Sequence, residues 1–65
     1  MSLIRVFKTP SVDGSVDLEI VYNPYNQIWG ISITDESGET SMIALDGDAV
    51  YEMAITIKET MEADE

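Results

Sequence analysis

The chain has 65 residues, no cysteine and no histidine, and thirteen carboxylates against three cations give it a net charge of -10. Disulfide frameworks, thiolate or imidazole metal sites and the usual nucleophile-base pairs are thereby excluded, and the acidic surface repels nucleic-acid phosphates and anionic lipid. A domain this short buries only about 60% of the surface its unfolded form exposes, so its hydrophobic fraction of 45% predicts a folded chain that leans on close packing and on a second copy of itself.

Residues 3–8, LIRVFK, are β-branched and aromatic and read as a first strand, ended by Pro10 and an Asp13-Gly14 turn. In VDLEIVY, Val16, Leu18, Ile20 and Tyr22 alternate with Asp17, Glu19 and Val21, the period of a sheet with one buried face. Asn23-Pro24-Tyr25-Asn26 is expected to form a type I turn, the proline ring presetting φ at its second position. QIWGISIT, residues 27–34, is the returning strand, with Trp29, Ile31 and Ile33 on one face and Gly30 and Ser32 leaving room on the other. A bulged turn at DESGE, with Gly38 supplying a positive φ, leads into SMIAL as the fourth strand.

Asp46 is placed to cap a helix running from about Gly47 to Ala63. The fold class is therefore α+β: a four-stranded antiparallel meander followed by one C-terminal helix packed on one face, ββββα, within a single domain spanning residues 1–65. On a helical wheel Val50, Met53, Ala54, Ile57 and Met61 form one apolar stripe, expected as core. Tyr51 and Ile55 flank it and extend the apolar arc, which marks them as the candidate homodimer interface. The sheet's other face is expected to carry Leu3, Phe7, Val21, Ile28 and Met42 among Arg5, Asp17, Glu19 and Ser32, a half-apolar surface of the kind that forms interfaces.

Glu59, Glu62, Asp64 and Glu65, four acids in seven positions, stand at and just beyond the end of this helix. Negative charge there opposes the helix dipole, so residues 62–65 are expected to fray as an acidic tail. Glu52, two turns before Glu59, extends the same ridge. Glu52, Glu59, Glu62, Asp64 and Glu65 are thus the candidate contacts for a basic or nucleic-acid-binding partner protein.

No catalytic, cofactor-binding or metal-binding residues are assigned, and no cofactor is expected. Lys58, the mid-helix cation, reads as a solvated residue beside Glu59 and Glu62, not as the base of a serine-lysine pair. Paired carboxylates could perform glycosidase chemistry only in a pocket that a chain this short has little depth to build. A calcium loop begun at Asp46 would put Val50 at its fifth position and Ile57 at the twelfth, where carboxylates are needed. The chain is read as no enzyme. MSLIRVFKTP lacks the apolar region of a signal peptide and no run approaches a membrane span, so a cytoplasmic location is expected, the host cytoplasm for a phage-encoded protein. Halophilic origin would also explain the acidity, but eight isoleucines and few alanines do not suggest it.

SMIALDGDAVYEM resembles the strand-to-helix junction of the positive-cofactor transcriptional coactivators, single-strand-DNA-binding proteins of ββββα fold. Ile43 and Leu45 match that family's Ile and Leu in a Lys-Gly-Ile-Ser-Leu run, and Val50 and Met53 take the helix positions of its tryptophan and leucine. Asp17-Leu18-Glu19 is similar to its Asp-Ile-Arg strand. Ser41 stands where the family has lysine and Glu19 where it has arginine, so the resemblance implies the architecture and helix-mediated dimerisation but not single-strand binding.

The leading expectation is a small acidic, dimeric protein acting through protein–protein interaction, an inhibitor of a nucleic-acid-processing factor in the manner of a viral host-directed inhibitor or DNA mimic. The last step is analogy. The alternatives are a structural or accessory subunit whose charge keeps it soluble, and a divergent single-strand-binding domain.

Overall fold

The computed structural model describes residues 3–64. Four strands, β1 (Ile4–Pro10), β2 (Asp17–Asn23), β3 (Ile28–Thr34) and β4 (Thr40–Leu45), form one antiparallel sheet in the order β1-β2-β3-β4, and helix α1 (Gly47–Ala63) follows. Each strand pairs with its sequence neighbour, as short hairpin loops require.

The first loop is built around Asp13. Its Oδ1 accepts from the Ser15 backbone N–H at 3.0 Å and from the Ser11 and Ser15 hydroxyls at 2.8 Å, while Gly14 takes φ 79°. The second loop differs from the expected type I turn. Gln27 N–H donates to Asn23 C=O at 2.8 Å, a five-residue turn that leaves Gln27 at φ 60° and starts β3 one residue later than expected. In the third loop Gly38 N–H reaches Asp35 C=O at 3.0 Å and Gly38 takes φ 88°, as its sequence suggests.

Register divides the sheet into two unlike faces. Leu18, Ile20 and Tyr22 of β2 stand opposite Ile33, Ile31 and Trp29 of β3, which in turn oppose Ser41, Ile43 and Leu45 of β4. Phe7 belongs to this face and not, as a strict alternation from Leu3 implies, to the opposite one. The pairing shifts between Arg5 and Phe7, a β-bulge that brings Phe7 opposite Ile20. Among the described strand residues this face carries no charge. The other face is mixed, with Arg5, Lys8, Asp17 and Glu19 beside Val21, Ile28 and Met42.

The space expected beside Gly30 is taken by the sheet's own side chains: a Cβ placed there would lie 3.0 Å from Met42 Sδ and 3.1 Å from Val21 Cγ2. Gly30 is the one buried residue among those described. Among the described residues no hydrophobic side chain is buried, and Phe7, Ile33 and Ile43 are each about half exposed. The helical stripe expected as core is half-buried at Val50 and Met53, while Ala54, Ile57 and Met61 remain exposed. The reason is geometric. The helix touches the sheet mainly at β3, and the molecule measures 37 × 33 × 15 Å, broader in two directions than strands of about 23 Å with a helix laid squarely over them. Its radius of gyration, 13.5 Å, exceeds the roughly 10.7 Å of a compact domain this long.

Candidate protein-binding surface

The helix is anchored where β4 ends. Asp46 holds an extended backbone (φ -83°, ψ 170°) and its Oδ1 accepts the Ala49 N–H at 2.8 Å, satisfying one of the free donors of the first turn as the sequence predicts. Asp48 adds a negative charge where the dipole favours it, and the last turn has no basic residue. The helix continues through Ala63, and Asp64 donates its N–H to Met61 C=O at 3.3 Å. Glu65 lies outside the described residues.

Two rows run along this rod. Asp48, Glu52, Ile55, Glu59 and Glu62 follow one another at alternating steps of four and three residues, which keeps them on one side. Val50, Met53, Ala54, Ile57 and Met61 occupy the opposite side. Glu52, Glu59, Glu62 and Asp64 are all exposed, so the first three share a continuous solvent-facing ridge and Asp64 stands at its end, away from the row. Tyr51 and Ile55 are 68% and 36% exposed. The helical neighbours of Ile55 at three and four residues are Tyr51, Glu52, Lys58 and Glu59, so it lies within the acidic ridge. That placement is visible in the spacing once Ile55 is counted with the acids instead of with the apolar flank.

The described cations are each set among carboxylates. Arg5 Nε donates to Glu19 Oε2 in an ion pair, Lys8 stands opposite Glu19 in the register, and Lys58 adjoins Glu59 and Glu62 on the helix. Glu19, which takes the place of an arginine in the coactivator resemblance, is thus paired with Arg5, and the sheet offers no uncompensated basic patch among the described residues.

An open groove of about 490 Å³ lies between the Tyr22–Trp29 pair and the start of α1, lined also by Asp46 and Asp48. The two rings, 4.8 Å apart and tilted by 46°, are fixed by the cross-strand pairing of β2 with β3, a contact that the hairpin's strand spacing implies but that the reading of the sequence misses. Two loop carboxylates elsewhere, Asp13 and Asp35, are engaged internally. The Ser15 N–H, with the Ser15 and Ser11 hydroxyls, lowers the Asp13 pKa to about 2, and the Ser37 hydroxyl and the Glu39 N–H lower that of Asp35. Among the described residues no group of three acidic, histidine or cysteine side chains is disposed to hold a metal ion, and no helix is long and apolar enough to cross a membrane.

The chain matches no protein-family model, no curated protein and no solved structure.

Proposed function

We propose that the protein is a non-catalytic, homodimeric interaction module whose acidic helix face receives a basic segment of a partner protein, with inhibition of a nucleic-acid-processing factor as the role this chemistry suits best. The observation that carries the reading is that α1 has no buried residue along its 17 positions while its two sides differ sharply, one apolar and one acidic. A helix that contributes so little to its own core is free to serve two contacts at once. The apolar stripe, widened by Tyr51, suits a second copy. The row of Asp48, Glu52, Glu59 and Glu62 passes through Ile55, with Tyr51 and Lys58 on its flank, and Asp64 adds negative charge at the helix end. An apolar centre within a charged rim is the pattern from which steered, specific protein contacts are made. Ile55 is therefore assigned to the partner-facing side and not to the dimer contact.

Affinity capture from lysate tests this with two baits, the unaltered chain and Glu52→Lys/Glu59→Lys. Basic, nucleic-acid-binding proteins retained by the first, lost by the second and released by moderate salt support the reading. Identical captures from both baits would overturn it and leave the accessory-subunit alternative. Micromolar binding of a single-stranded oligonucleotide to the purified protein would overturn it in favour of the single-strand-binding alternative.

A further inference from the structure

Two apolar surfaces of this chain are left largely uncovered, and they match. The first is the uncharged sheet face, where Ile4, Phe7, Leu18, Ile20, Ile31, Ile33 and Ile43 lie within one register. The second is the apolar stripe of α1, half-buried at Val50 and Met53 and exposed at Ala54, Ile57 and Met61. A 17-residue helix is about 25 Å long and a seven-residue strand about 23 Å, so one helix spans the sheet along its strands. The chain's own helix does not do this: it leaves the end of β4 beside Trp29 and touches the sheet mainly at β3, with Ile57 and Met61 53% and 68% exposed.

From this we infer that the dimer forms by helix exchange: the apolar stripe of each α1 covers the uncharged sheet face of the other copy. The inference rests on the dimeric part of the proposed function and adds which surfaces meet. The area supports a second copy as the occupant. A compact monomer of 7.2 kDa exposes roughly 4,100 Å² and this chain exposes 5227 Å², an excess of about 1,100 Å² per chain. Two chains together would bury about 2,200 Å², the size of an obligate homodimer interface. A charged partner does not fit this face, because it offers no carboxylate to receive a cation and would desolvate whatever charge was brought to it. The exchange also leaves the acidic row, on the far side of each helix, facing solvent.

Because the chain has no cysteine, introduced thiols report contacts unambiguously. Chains carrying Ile57→Cys alone are mixed with chains carrying Ile43→Cys alone, unfolded and refolded together, and oxidised. A disulfide joining the two kinds of chain can only be intermolecular. The expected yield is on the order of tenfold above that with Met42→Cys, on the opposite sheet face, because contact raises effective concentration to the millimolar range. Met61→Cys with Ile33→Cys provides a second pair if the first perturbs folding. Sedimentation of the unaltered chain separates the two failures. A monomer at tens of micromolar would remove the dimeric reading itself, whereas a dimer giving only Ile57-to-Ile57 disulfides, or equal yield with Met42→Cys, would overturn the exchange and leave the dimer standing. An intramolecular disulfide as the main product of the doubly substituted Ile43→Cys/Ile57→Cys chain would likewise overturn it.

Discussion

Met42 lies over Gly30 on the mixed face of the sheet, its Sδ 3.0 Å from where a glycine Cβ would stand, with Val21 Cγ2 3.1 Å away on the other side. The two neighbours differ in how they can yield. The thioether ends a flexible chain and the valine methyl is fixed by β-branching. Gly30→Ala is expected to destabilise the protein by about 1 kcal/mol, crowding exceeding the entropy gained by restricting the unfolded chain. In a Met42→Ala background part of that cost should vanish. Urea denaturation at one fixed protein concentration checks this through a double-mutant cycle, and strict additivity would mean that Met42 does not press on Gly30.

The loop backbones predict substitutions of opposite sign. Gly38 and Gly14 hold φ 88° and 79° with no atom within 4 Å of where a Cβ would stand, so alanine there meets backbone strain and no clash. Each change should cost about 1 kcal/mol. Gln27 holds φ 60° without being glycine, and Gln27→Gly should raise stability by up to about 1 kcal/mol by releasing that strain. Thermal melts of the three variants check the pattern, and a loss of stability in Gln27→Gly would show that its side chain contributes more than its backbone costs.

These same residues separate what a sequence can announce from what it cannot. Asp13-Gly14, Gly38 and Asp46 are legible because each has a chemistry that few residues share: a left-handed φ or a short carboxylate able to reach a backbone N–H. The alternation of Leu18, Ile20 and Tyr22 is legible because strand period is geometric. The bulge between Arg5 and Phe7 has no such marker, since ordinary residues adopt its backbone, and the shift it causes moves Phe7 across the sheet. The left-handed Gln27 is equally silent, although four residues between Asn23 and Ile28 are the length such a turn needs. For the candidate site, spacing identifies both rows of α1 but not what covers them. Periodicity states which side chains share a face, and the direction in which the helix leaves β4 decides whether its own sheet lies beneath.

The Asp13 carboxyl gives the fold a defined acid dependence. Its pKa falls from 3.8 to about 2 because the folded loop supplies hydrogen bonds to the ionised form, led by the Ser15 N–H. A depressed folded pKa contributes stability above the unfolded value and loses it as pH falls through the folded one. The contribution of this loop is therefore complete above about pH 4 and declines between pH 4 and 2. Asp35, also depressed, acts in the same direction. Carbon-13 NMR titration of the side-chain carboxyls should find Asp13 at the acidic end of the range, and Ser15→Ala should raise it. An Asp13 midpoint near 4 would mean the loop is open in solution.

The helix end joins stability to recognition. Glu59, Glu62 and Asp64 meet the negative end of the dipole with no basic residue in the last turn, and Lys58 precedes Glu62 in the less favourable order of an i,i+4 pair. Each carboxylate there costs about 0.3–1 kcal/mol, which local opening of the last turn relieves. Glu62→Lys removes one such charge, suits the dipole and pairs with Glu59 three residues earlier. Amide exchange at residues 60–64 should slow by about two- to tenfold in this variant. If the acidic row receives a basic partner, the same substitution should slow association with the partner that the capture experiment identifies and flatten its salt dependence, because steering charge is lost while the apolar stripe is untouched. A helix that becomes more stable while binding becomes slower would show that the row is kept for recognition although it weakens the fold. Slower amide exchange with an unchanged association rate would assign these carboxylates to solubility alone.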